Sequence, residues 1–333
     1  MSGQKRFDEI DIAKGIGIFL ILLGHLEPGI LLMRFVYSFH LFLFFACSGF
    51  LGQRYETRHV SSVIINNVKR LIVPYLIWSI ITQAVALFLH EIDLMQAARN
   101  LLFLDANVGW NAALWFLVAL FWSDTLCCFF VKCQRWVQFL FIVLLILLWY
   151  LLALYEITLP FGLYTVPIAS FFWMLGYYMS KTDLIIRIRQ FSRMAISIWV
   201  VVLLLVNITF GTVLNTVISI YHINYENFLF TIIAGVTGVL AIIILCGSLF
   251  NCRTVNSVFI VYGKNTLTIL CTHYFILRMV GGISLRIIGI NLWRAQSTSK
   301  SLLFALVLSL FYYPMIKALS KLKEKRSWIK YIV

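Results

Sequence analysis

Ten apolar windows, each about the length of a bilayer crossing, constrain this chain more than anything else in it. They lie near residues 15–33, 35–53, 71–90, 112–131, 136–155, 159–180, 194–214, 227–250, 258–279 and 301–318. A helix of about 20 apolar residues crosses the hydrocarbon core because it satisfies its own backbone polar groups. Ten such windows with short polar joints take up most of the 333 residues. Charged residues make up 12% of the chain and mean hydropathy is +0.94. Soluble domains carry roughly 25% charged residues. A soluble fold of this size could not bury so much apolar surface, and disorder needs the opposite composition. The expected class is all-α: a polytopic integral membrane protein of about ten transmembrane helices, forming a single domain over residues 1–333. No internal repeat and no appended soluble domain is visible.

The loops give the orientation. With the N-terminus in the cytoplasm, 21 of the 27 Lys and Arg fall on the cytoplasmic side and six outside. That bias follows the positive-inside rule and predicts that both termini are cytoplasmic. Four of the six outside cations are Arg278, Arg286, Arg294 and Lys300. That connection reads either as a functional basic patch or as a re-entrant segment. The net charge of +14 is read as loops meeting anionic lipid, with no nucleic-acid partner expected. Seven cysteines, mostly in apolar stretches and without a CxxC pair, read as small buried hydrophobes. The N-terminal segment is charged as far as Lys14, and the apolar run after it contains His25 and Glu27. The first helix therefore reads as retained and not as a cleaved signal.

That first helix holds the most informative pattern. Lys14 and His25 are eleven residues apart, about three turns, so they share a face, with Asp11 one turn before Lys14. A rise of 1.5 Å per residue sets His25 roughly 16 Å deeper than Lys14. A polar side chain at membrane depth normally lines a cavity or pairs with a partner. His25 is thus either an interhelical hydrogen-bonding residue or a general base in a cavity. Further along, His40 and Ser48 are polar points in an aromatic stretch. Lys69 and Arg70 precede Pro74-Tyr75, and read as a topology anchor or as a phosphate clamp. Leu114-Trp115-Phe116-Leu117 and Gly263-Lys264-Asn265-Thr266-Leu267, followed by His273, complete the set.

In this order and spacing, these segments resemble the membrane acyltransferase family 3, the O-acetyltransferases of bacterial surface glycans. The resemblance covers nearly the whole chain. The family's acid, basic residue with glycine, and histidine eleven residues later match Asp11, Lys14-Gly15 and His25. Its second segment matches His40, Leu43, Phe44, Phe45, Ser48 and Gly49, with Phe42 where the family has proline. Its basic segment matches Arg70, Pro74 and Tyr75, with Asn67 where a first arginine is usual.

The resemblance implies transfer of an acetyl group from cytoplasmic acetyl-CoA to a hydroxyl of a lipid-linked sugar or surface polysaccharide, such as an O-antigen, capsule or exopolysaccharide. It implies a site in the bacterial inner membrane, no metal, and membrane lipid and the glycan acceptor as partners. Homo-oligomerisation is left open. His25 and Asp11 become the catalytic candidates, His25 as general base or as transient acetyl acceptor and Asp11 expected to orient Lys14 or Arg70. Lys14, Lys69 and Arg70 become the CoA-binding candidates, and His40, Trp115, Asn265 and His273 the substrate-binding ones. The competing reading is a polytopic transporter or flippase. Sparse prolines and the lack of paired halves weigh against it.

Overall fold

The structure is a computed structural model that describes residues 7–249, 253–288 and 297–325. The chain enters through α1 (Asp8–Gly24), α2 (Ile30–Tyr37), α3 (His40–Phe50), α4 (Val60–Asn67), α5 (Val73–Phe88), α6 (Leu94–Leu101) and α7 (Trp115–Phe130). It continues through α8 (Arg135–Leu154), α9 (Val166–Lys181), α10 (Leu184–Ile188), α11 (Arg193–Ile208), α12 (Phe228–Leu249), α13 (Arg253–Lys264), α14 (Thr266–Ile288) and α15 (Thr298–Lys325). Among the described residues there is no strand, only an isolated bridge between Ser219 and Asn224.

Eight helical stretches among the described residues are long and apolar enough to cross a membrane. The other two expected crossings correspond to α1 and α9, which are shorter at 17 and 16 residues. Both are largely enclosed by the rest of the bundle. Ile12, Ala13 and Ile18 of α1 and Ile168, Phe172 and Trp173 of α9 are fully or almost fully buried. The peripheral helices α8, α11 and α15 instead expose Leu147, Leu151, Ile198, Val202, Leu306 and Leu310, the outward apolar faces that a lipid environment favours.

Among the departures from the expected boundaries, two bear on the site. The first crossing begins at Asp8 and ends at Gly24, not at residue 33. Pro28 lacks an N–H, and Glu27 and Gly29 have φ of 51° and 41°, so the chain turns there. The window at 258–279 is two helices. Asn265 breaks the run between α13 and α14. The expected termini and residues 289–296 of the basic connection lie outside the described residues.

α1 is the central post, packed against α2, α3, α12, α13, α14 and α15. Glycines set its closest crossing. A Cβ on Gly15 would meet the Phe259 carbonyl at 2.2 Å, and one on Gly263 would meet the Asp11 carbonyl at 1.8 Å. The Lys14-Gly15 and Gly263-Lys264 motifs are therefore the two halves of one helix crossing. α3 and α9 cross by the same device, with Gly49 against the Trp173 carbonyl and Gly176 against the Ala46 carbonyl.

Candidate active site

Residues of α1 open on a series of cavities. Near its first turns, Lys14 lines a cavity of about 740 Å³ with Arg54, Arg70, Ser48 and Thr266. Its walls are otherwise apolar, among them Phe44, Leu117 and Leu267. Three cations facing one partly apolar space make a site for an anion with an apolar extension. Through Leu51 and Arg54 this space adjoins a second one, of about 780 Å³, lined also by Gln53 and Ser180.

Arg70 is placed by an anchor that sequence reasoning did not single out. Asp124 of α7 is fully buried. Its Oδ2 accepts a hydrogen bond from Arg70 Nη2 at 2.6 Å. Its Oδ1 accepts from Ser48 Oγ at 2.8 Å and from Trp173 Nε1 at 2.7 Å. Three donors around one carboxylate satisfy a charge that would otherwise be costly in the interior. Arg70 itself sits in a π-helical turn, Val68–Ile72, which re-aims residues at the join of α4 and α5.

At the other end of α1, His25 caps the helix and lines a cavity of about 670 Å³ with His40, Trp115, Tyr221, His222 and Ser219. Tyr274 Oη lies 3.0 Å from His25 Nδ1. The His273 ring packs 5.1 Å from that of His25, and Tyr37 stands edge-on between His25 and His40 at 6.5 and 4.9 Å.

Backbone carbonyls accept but do not donate, so they fix two tautomers. His40 Nδ1–H donates to the Val36 carbonyl at 2.7 Å. His273 Nδ1–H donates to the carbonyls of Ile269 and Leu270 at 3.0 and 2.8 Å, and its Nε2 is buried with no hydrogen-bond partner among the described residues.

Tyr221 stacks on Trp115 at 5.9 Å and accepts from the Val108 N–H at 3.2 Å. Burial holds its phenol above its ordinary pKa, so it stays protonated. A further cavity of about 1010 Å³ reaches His25, Tyr37 and Tyr274 from the side of Glu27, Ile30 and Met33.

Of the expected residues, Lys14 and Arg70 meet at the cationic cavity, and His25, His40 and Trp115 at the histidine cavity. His273 lies directly against His25.

The structure places the remaining expected residues apart from the two cavities or at their edges. Lys69 is exposed and absent from the cationic cavity, because neighbouring residues of a helix cannot share a face; Arg54 takes that place. Asn265 is spent on the helix break, its Nδ2 donating to the Val261 carbonyl at 2.8 Å. Asp11 pairs with Lys14 at 3.9 Å, one of the two partners expected of it, and lies about 21 Å along the helix from His25.

Asp124, Arg54, Tyr274 and Tyr221 were missed. Asp124 did leave a signal, as the lone acid in the apolar stretch 115–130. No group of three or more His, Cys, Asp or Glu among the described residues is placed to hold a metal ion.

An all-helical bundle with membrane-length helices, a cationic cavity at one end of its central helix and a histidine cavity at the other has the build of a polytopic membrane protein. The chain belongs to the acyltransferase 3 family, whose model, described as an acyltransferase domain, matches residues 7–313. It is a membrane acyltransferase. No curated protein and no solved structure matches the chain.

Proposed function

We propose that the protein moves an acetyl group from cytoplasmic acetyl-CoA to a hydroxyl of a lipid-linked sugar or nascent surface polysaccharide. In this reading it lies in the bacterial inner membrane with ten crossings, α1 and α9 completing the count, and both termini cytoplasmic. The observation that carries the proposal is the cavity series along α1. It begins among Lys14, Arg54 and Arg70 and ends at His25. CoA is an anionic nucleotide on a long thin arm that ends in a thioester. Its phosphates suit the cations, and the roughly 16 Å from Lys14 to His25 suits the arm.

The chemistry then falls to the histidine cavity. In the tautomer whose Nδ1–H donates to Tyr274 Oη, 3.0 Å away, His25 Nε2 carries a lone pair and serves as general base. The acceptor hydroxyl attacks the thioester carbonyl carbon and its proton passes to Nε2. The new C–O bond forms, the C–S bond breaks, and the CoA thiolate takes the proton back from His25. Tyr274 holds the orientation of the imidazole. The faces of Trp115 and Tyr221 and the hydroxyl of Ser219 suit a ring that bears both apolar and hydroxyl surface.

The test is mass spectrometry of surface polysaccharide from cells expressing the wild type or His25→Ala at equal membrane levels. An acetyl increment present in the wild type and lost in the variant is expected. An increment that persists in the variant removes His25 from the chemistry.

A further inference from the structure

Among the described residues, the cationic cavity and the histidine cavity share three side chains, Ile21, Phe116 and Leu270. They come from α1, α7 and α14. All three are apolar and buried, at 2%, 5% and 5% exposure. The junction is braced. The Phe116 ring packs 5.0 Å from Phe45 and 5.8 Å from Phe44. Ile21 is β-branched and therefore stiff at χ1. The backbone carbonyl of Leu270 is tied to His273. His25 follows Ile21 by four residues, one turn or about 6 Å further along α1.

We infer that Ile21, Phe116 and Leu270 form a selectivity ring that admits unbranched, uncharged acyl groups to His25 and turns away branched or anionic ones. The inference rests on the acyl-CoA reading above. A thioester that reacts at His25 must carry its acyl group past the ring. A straight chain passes end-on with nothing broader than the planar thioester carbonyl, and the end of the pantetheine arm that follows it is unbranched. A branch next to the carbonyl adds a methyl to that width in a packed interior that yields little. A carboxylate, as in succinyl, would leave water with no polar side chain on the ring to meet it. The ring therefore discriminates by width and charge more than by chain length.

The test uses full-length protein in proteoliposomes supplied with a lipid-linked oligosaccharide acceptor and measures CoA release by chromatography from acetyl-, butyryl-, isobutyryl- and succinyl-CoA. For the wild type, acetyl and butyryl are expected within a few-fold of each other. Isobutyryl should be slower by at least about tenfold, the scale of one misfitting methyl group in an apolar site. Leu270→Ala and, separately, Phe116→Leu should raise the isobutyryl-to-acetyl ratio by about tenfold while succinyl stays excluded, since the ring remains apolar. Ile21→Val, a milder deletion, should move the ratio the same way by less. Each ratio is internal to one preparation, so a partial loss of folded protein cancels.

Wild-type use of isobutyryl-CoA as fast as acetyl-CoA, or an unchanged ratio in all three variants, overturns the ring while leaving the acyltransferase reading intact. A wild type that turns over none of the four donors overturns both.

Discussion

Asp124→Asn isolates the placement of Arg70 from everything else at the site. The amide keeps one oxygen, which can go on accepting from Ser48 and Trp173, the two bonds made by Oδ1. It sets an NH2 group where Oδ2 now accepts from Arg70 Nη2 at 2.6 Å. Donor then faces donor, and the arginine loses its anchor. A charge-assisted hydrogen bond contributes about 1.5–3 kcal/mol when well buried. The Arg70 side chain is 44% exposed, so water screens the pair and about 1 kcal/mol is the reasonable loss of stability. The protein should therefore still fold. An unanchored arginine must be ordered again on each binding event. A penalty near 1 kcal/mol raises the KM for acetyl-CoA about fivefold, since 1.4 kcal/mol is tenfold. The value of kcat should hardly change, because the histidine cavity lies beyond the ring of Ile21, Phe116 and Leu270. Steady-state CoA release over a range of acetyl-CoA concentrations, with a thermal melt of each preparation, reads both effects. A folded variant with an unchanged or lower KM, or one whose loss lies wholly in kcat, would refute the placement argument.

Other consequences follow from the same geometry. Tyr274→Phe removes the hydroxyl 3.0 Å from His25 Nδ1 and should lower kcat by about tenfold or more with little change in KM, read in the same assay. Arg54→Ala should raise the KM for acetyl-CoA severalfold while Lys69→Ala leaves it unaltered, because Arg54 lines the cationic cavity and Lys69 does not. Gly263→Ala would push a methyl to within 1.8 Å of the Asp11 carbonyl, where backbone has to yield. That overpacking should cost at least about 1–3 kcal/mol and appear as a lower melting temperature or reduced membrane levels.

Much of this site was legible in the sequence, for a physical reason in each case. The shared face of Lys14 and His25 follows from the 3.6-residue period of an uninterrupted helix. The helical class follows from composition, because apolar windows of that length have few other uses. What was not legible depended on how helices meet. Lys69 and Arg70 are equivalent as letters, and the choice between them is made by a turn of π-helix and a carboxylate on α7. The break at Asn265 lies inside one continuous apolar window, and hydropathy averages over it. Tyr274 and Tyr221 reach the histidine cavity from α14 and from a loop between α11 and α12, distant in sequence from α1. Gly15 and Gly263 stood out as motif residues, but their role as partners across one crossing needed the third dimension.

The central claim is that an acyl group travels along α1 from the cationic cavity to His25, so that donor and acceptor are engaged from opposite faces of the membrane. Proteoliposomes of known orientation, with acetyl-CoA on one face and an oligosaccharide acceptor on the other, test it directly. The account predicts acetylated acceptor and free CoA only when acetyl-CoA is on the face bearing Lys14, Arg54 and Arg70, and no product with His25→Gln. Product formed equally from either face, or undiminished in His25→Gln, would contradict it.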